Sequence, residues 1–302
     1  MGNRLLSFIV YSNFFIATCA FVLTWETFCL LRLPASINWY LLLMFFCTVF
    51  VYSLHYFVKR KKEITNSRLN WCRKNVTLLS AIIVFSFTFI AGGVMWHFQS
   101  IFIKTGQFNF RNLLWFIIIS GVAFGYSYPL TPWNKKSLRQ VGWLKMASLS
   151  FIWSFTTVVL PVLMLTDDMN NHPGNMQVVI LFIHRFFFMA ALSLLFNIHD
   201  FEEDKKDGIK TIAVLLGPRK SLHYGKWIMS LANASTATLL LYYFKLNHPV
   251  YYAATLIPVI GLFLLYQNFS APKGEAAFVI LNDGMMIVKA LLLIFAILTT
   301  SS

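Results

Sequence analysis

The residues best suited to chemistry lie in one short stretch. From Phe196 the chain reads FNIHDFEEDKKDGIKTIAVLLG, and five of its 11 acidic residues fall between Asp200 and Asp207. Asp200 and Asp204 are four positions apart, so on a continuous helix they share a face and both carboxylates can approach one hard cation or its water shell. Mg²⁺ takes one or two carboxylates together with waters and phosphate oxygens, so such a pair at a membrane mouth suits a diphosphate carried by a lipid. Glu203 points about 100° away from Asp204 on the same helix, and Asp207 abuts Gly208, where a helix would end. Both are weaker candidates. A DxxxD is common on solvated helices, but this one interrupts a strongly basic face where charge alone would favour Lys or Arg.

The elements that must position these carboxylates are membrane spans. The 302 residues are 58% hydrophobic and 12% charged, against about 25% charged in a typical globular chain. That excludes a soluble enzyme, a disordered chain and a disulfide-stapled secreted domain. Apolar runs long enough to cross a hydrocarbon layer of roughly 30 Å recur throughout, at about Leu5 to Leu31, Trp39 to Val58, Val76 to Trp96, Leu113 to Tyr128, Met146 to Leu165, Gln177 to Ile198, Tyr224 to Phe244, Val250 to Tyr266 and Ala276 to Leu298. The expectation is an all-α, multi-pass membrane protein of nine helices, one integral domain over residues 1–302. Barrel strands are excluded because the period-two alternation they need is missing.

The net charge of +14 reports orientation rather than nucleic acid. Nineteen of the 25 cations fall in alternate connections: Arg4, the run from Lys59 to Lys74, Lys135, Lys136, Arg139, Lys145, the group from Lys205 to Lys226, and Lys273. The positive-inside rule puts those connections and the N-terminus in the cytoplasm, with the C-terminus outside and the acidic stretch facing inward. The first apolar run lacks a cleavage site and reads as a retained helix. Cys19, Cys29, Cys47 and Cys72 form no CxxC pair and read as packing residues.

Two cations, Arg185 beside His184 and Lys289, lie inside predicted spans, where a charge normally faces the bundle interior with a partner. Asn282 and Asp283 are near Lys289 in sequence, but Lys289 is six residues past Asp283 and off its helix face. Its partner must come from another helix. An internal structural pair, acceptor binding and an ion path all remain open for these charges. Glu26 reads as solvated near the outer interface.

Two stretches together resemble the UbiA-type intramembrane prenyltransferases. DFEEDKKDGIKTIAVLLG is similar to that family's second aspartate-rich motif, with Asp200, Asp204, Gly208, Lys210, Thr211 and Gly217 in place. GYSYPLTPWNKKSLRQVGWLKMASLSFIWSFTTVVLP resembles the family's region around helices 4 and 5, from Tyr126 to Pro129 through Gly142 and Lys145. The resemblance implies a bundle with a cytoplasm-facing cavity, Mg²⁺ on Asp200 and Asp204, and transfer of a prenyl group from an allylic diphosphate to a small aromatic or lipid acceptor. The family's first motif, NxxxDxxxD at the end of helix 2, is missing. The best register of TVFVYSLHYFVKRKKE puts Tyr52, Tyr56 and Arg60 at its three positions. In a catalytic reading Lys59, Arg60, Lys61 and Lys62 with His55 replace part of the metal charge, one Mg²⁺ remains, and Tyr126, Lys145 and Lys210 complete the substrate contacts. The 31 Phe residues are candidates for an apolar chamber around the reacting carbon. The alternatives are a non-catalytic prenyl-lipid binder of the same fold and a transporter.

Overall fold

The computed structural model describes residues 2–33, 39–60, 67–105, 110–128, 137–165, 173–269 and 275–300, and every regular element among them is helical. Lys61, Lys62, Pro129, Lys135, Lys136 and Lys273 lie outside the described residues. The helices are α1 (Gly2–Tyr11), α2 (Phe14–Leu30), α3 (Trp39–Lys59), α4 (Ser67–Lys74), α5 (Val76–Thr105), α6 (Phe110–Ser127), α7 (Gly142–Ser154), α8 (Leu160–Leu165), α9 (Asn175–His199), α10 (Phe201–Lys206), α11 (Ile212–Leu216), α12 (Pro218–Tyr243), α13 (Pro249–Gln267) and α14 (Glu275–Thr300). A 3₁₀ turn, Leu138–Gln140, precedes α7, and a π-helical turn, Phe155–Val159, joins α7 to α8.

Among the described residues six segments are long and apolar enough to cross a membrane: Trp39–Lys59, Val76–Ser100, Gly142–Leu165, Asn175–His199, Pro249–Gln267 and Glu275–Thr300. Phe14–Leu30 and Leu113–Ser127 are apolar but shorter. α12, expected as a span from Tyr224 to Phe244, forms a helix of 26 residues but is not among the six. Its first turns carry Arg219, Lys220, His223 and Lys226. α9 sits at the centre, packed on α7 and α12, while α2 packs on α3 and α14. Leu181, Phe188, Ala191, Leu192 and Leu195 bury successive faces of α9, as a helix enclosed by others requires.

The first expected span is broken. Asn13, with φ of 69°, separates α1 from α2. A break at membrane depth frees backbone groups that lipid cannot satisfy. Here Arg68 of α4 donates to the backbone Val10 O at 3.4 Å, and side-chain bonds from Asn13 Nδ2 to Ser53 Oγ at 3.0 Å and from Arg68 to Asn13 Oδ1 brace the break. The break and the short helix α4 are therefore one device. Hydropathy saw only an uninterrupted apolar run.

The span expected at Met146 to Leu165 is also irregular. Pro161 has no N–H and its ring disfavours the carbonyl four residues earlier, so the helix widens into the π turn before it. The widened turn turns Thr157 Oγ1 toward Arg185 Nη1, at 2.9 Å.

Glu26 is fully buried, which corrects its reading as a solvated residue. Arg185 Nη2 lies 3.0 Å from Glu26 Oε2, and Lys289 Nζ lies 2.5 Å from Glu26 Oε1. Arg185 also donates to Leu23 O at 3.0 Å and to Thr27 Oγ1 at 3.3 Å. The rise along α2 put Glu26 near an interface, but α9 and α14 cover it. Lys289 thus finds its partner on another helix, as its offset from Asp283 requires. Arg185 and Lys289, the two charges for which an ion path was an alternative, both end in this tie.

Candidate functional site

The acidic stretch begins where α9 ends. Asp200 caps α9 and starts α10, and Asp204 N still bonds Asp200 O at 2.8 Å, so the helical path nearly continues and both carboxylates turn to the same side. They meet on one ammonium. Lys145 Nζ lies 2.8 and 2.7 Å from the two oxygens of Asp204 and 3.4 Å from Asp200 Oδ2. Lys145 stands on the first turn of α7, held by a close backbone approach: a Cβ on Gly142 would sit 2.4 Å from Lys210 O. Gly142 has φ of +23°, a conformation that also favours glycine.

Around this pair the other groups are interlocked. The ring of His199 lies flat on Phe278 at 4.2 Å, with Nδ1 3.2 Å from Asp200 Oδ1. Arg139 reaches Asp200 Oδ2 at 3.9 Å and His55 Nε2 at 3.0 Å. Lys59 bonds Glu203 Oε1 at 3.0 Å. Burial pushes the Asp200 carboxyl up, but the hydrogen bond to His199 and the charges of Lys145 and Arg139 outweigh it and hold the group well below the usual carboxylate range. Asp204 goes the other way: burial and the neighbouring charge of Asp200 outweigh Lys145 and raise it. Burial opposes the charge on Arg139, yet Tyr126, Asp200, Tyr56 and Glu203 around it raise its pKa.

These groups line the mouth of a branched chamber. Lys59, His55, Arg139, Lys145, Asp200 and Glu203 ring the polar part. Tyr52, Val51, Ala123, Ile152 and Trp153 are shared with an apolar lobe walled by Phe50, Phe87, Phe116, Phe124, Met44 and Leu160. A third lobe leads inward past Tyr56 and Arg68.

Most of the sequence candidates converge here. Tyr52, His55, Tyr56, Lys59, Tyr126, Lys145 and Asp200 line the mouth, and Asp204 grips Lys145 behind it. Two do not line it. Arg60 folds back on its own helix end, bonding Phe57 O with its guanidinium 3.4 Å from the Phe57 ring. The Lys210 side chain is exposed, and its contribution is the backbone carbonyl against Gly142. Arg139 and Arg68 were missed as site residues. Arg68 is 5% exposed, with its guanidinium 3.9 Å from the Tyr56 ring centre, so a cation from α4 stands beside the helix whose carboxylates are missing. The signal was the pattern Arg68, Leu69, Cys72, which marks one buried face of α4.

The donor set bears on metal binding. Asp200 and Asp204 reach one cationic point together, which fits a single hard ion completed by waters and phosphate oxygens. Among the described residues no group of three or more His, Cys, Asp or Glu could hold a metal.

A family model described as the UbiA prenyltransferase family matches residues 62–288. The chain belongs to that family. It is an integral membrane protein, with its apolar helices arranged as in other UbiA homologues. The apo structure of a UbiA homologue from Aeropyrum pernix K1 superposes with a TM-score of 0.62 at 16% identity, over 92% of this chain and 97% of that one. A UbiA homologue from Archaeoglobus fulgidus bound to GPP and Mg²⁺ gives 0.61 at 14% identity, over 97% and 99%. With DMAPP and Mg²⁺ it gives 0.60 at 15%, over 96% and 99%. At these identities the likeness speaks for the fold. No curated protein sequence matches the chain at a significant level.

Proposed function

We propose that this UbiA-family member transfers a prenyl group from an allylic prenyl diphosphate to an acceptor in the membrane. The observation that carries the reading is the continuity of a cation-lined mouth with an aromatic-walled apolar lobe. A prenyl diphosphate has that same division, roughly three negative charges at one end and hydrocarbon beyond. The UbiA homologue solved with GPP and Mg²⁺, and with DMAPP and Mg²⁺, supports it from the side of the fold.

In this reading Lys59, Arg139 and Lys145 exchange their carboxylate partners in part for diphosphate oxygens, and the tail lies along Phe50, Phe116 and Phe124. Asp200 and Asp204 hold one Mg²⁺, which when bound neutralises charge developing on the leaving diphosphate. The allylic C–O bond breaks with its electron pair on the diphosphate, and the cations of the mouth stabilise that charge where it forms. Tyr52 and Trp153, at the junction of mouth and lobe, face the allylic carbon and keep water from it. We also infer that the domain crosses the membrane nine times, with α12 as one crossing, and that the mouth and N-terminus are cytoplasmic, on the strength of the cation distribution.

The test is release of diphosphate from geranyl diphosphate by the purified protein with Mg²⁺. Asp200→Asn with Asp204→Asn should abolish it. Tyr52, Tyr56 and Arg60 at the three positions of the first motif favour one second reading, a prenyl-lipid binder without turnover. Saturable binding of geranyl diphosphate with no release across acceptors would establish the binder instead.

A further inference from the structure

The inner lobe is used by neither the diphosphate nor its tail. It leaves the mouth between Tyr52, Tyr56 and Trp153 and runs to Met189, Met286 and Asp283. Its wall is mostly apolar, with Ile16, Leu149 and Leu192 contributing, and Ser193 adds one hydroxyl. Asp283, on α14, is 4% exposed. Its Oδ1 accepts from Asn282 Nδ2 at 3.4 Å, and among the described residues it forms no ion pair. Asn282 is in turn directed at Leu192 O, 3.5 Å away on α9. Arg68 borders the lobe nearer the mouth, and its Nε is buried without a partner.

A carboxylate in such a place is costly unless something satisfies it, because burial removes the water that would hydrate it. Glu26, on another helix of the same bundle, illustrates the alternative: it holds two cations. Asp283 instead lines a cavity that shares Tyr52, Tyr56 and Trp153 with the mouth. A carboxylate only accepts hydrogen bonds, so the complementary group is a donor, and the apolar walls ask for a compact hydrophobic body around it.

We propose that the inner lobe holds the acceptor and that Asp283 takes the hydrogen bond, and then the proton, of the acceptor's reacting hydroxyl. This rests on the prenyl-transfer reading of the mouth. The step balances without any further reagent: the allylic C–O bond breaks with its electron pair leaving on the diphosphate, an oxygen lone pair of the acceptor forms the new C–O bond, and the hydroxyl proton passes to the Asp283 carboxylate. Nothing is oxidised or reduced.

The experiment uses the full chain in detergent with geranyl diphosphate, phenol as probe acceptor, and anisole as a control that lacks the donor hydrogen. Its readout is the ratio of geranyl phenyl ether, by mass spectrometry, to diphosphate released. The expected result is coupling with phenol, a ratio lowered at least tenfold by Asp283→Asn, and recovery in Asp283→Glu. Met189→Trp, which fills the lobe from α9 and leaves the carboxyl in place, should lower the ratio equally and carries the test if Asp283→Asn does not fold. An unchanged ratio in both variants overturns the proposal, as does diphosphate release by the wild type with no ether formed. No diphosphate release by the wild type overturns the reading of the mouth itself, and the lobe's role with it.

Discussion

Two clusters of charge lie in this bundle, and they are built to opposite rules. Glu26, Arg185 and Lys289 are sealed, with 0%, 0% and 4% of their surfaces exposed, and every strong contact joins one helix to another. The cluster around Lys145 opens into a chamber, and Asp200 keeps 22% of its side chain accessible. A sealed cluster can only hold helices together, since no ligand reaches it. An open one can trade its internal pairs for a ligand's charges.

The largest expected effect lies in the sealed cluster. Glu26→Gln leaves two buried cations without a carboxylate and should cost about 3–5 kcal/mol of stability, read by unfolding in detergent. Binding of geranyl diphosphate per folded molecule should be unchanged; weakened binding would join the two clusters into one. In the open cluster Lys145→Gln should reverse the balance. Diphosphate release should fall about 10² to 10³-fold, the scale for losing one group that stabilises developing charge. Its loss of stability should be smaller than that of Glu26→Gln, and an equal loss would make Lys145 a structural tie.

Within the open cluster, Lys59→Gln should weaken geranyl diphosphate binding about tenfold, which is about 1.4 kcal/mol. Arg60→Gln and Lys210→Gln should each stay within about twofold, because neither side chain lines the chamber; isothermal titration separates these outcomes. The smallest effect is on pH. The Asp200 carboxyl is held below its ordinary 3.8, so its stabilising contribution is present above that value and is lost as pH falls through its lowered pKa. The gap in melting temperature between wild type and Asp200→Asn should be steady near neutrality and close below pH 3.8. A gap that widens on acidification would reverse the sign assigned to the group.

Local patterns announced the parts of the site that lie close together in the chain. Asp200 and Asp204 are one helical turn apart, so spacing alone put that pair on a face, and His55 and Lys59 were candidates because they lie where the first acidic motif is missing. Arg68 was not legible in this way. It sits after a basic run that reads as an anchor, and its value depends on the break at Asn13, where Val10 O and the Asn13 side chain accept from it. Arg139 was counted only as a cytoplasmic cation, and its role comes from the 3₁₀ turn that aims it at Asp200 and His55. Glu26 was misplaced for a related reason: position along a helix says how far a residue lies from the helix end, not which neighbours cover it.

The helical class, the membrane location and the acidic half of the site follow from composition, run length and spacing, because those are properties of one segment in lipid: backbone groups must bond within it and charges must leave it or find a partner. Which partner was decided only by the fold. Glu26 meets Lys289 across 263 positions and Lys145 meets Asp204 across 59, and no periodicity along a chain records pairings between helices. The same assembly that closed Glu26 between two cations left Asp283 facing a cavity, which is why one buried acid is a tie and the other is available for chemistry.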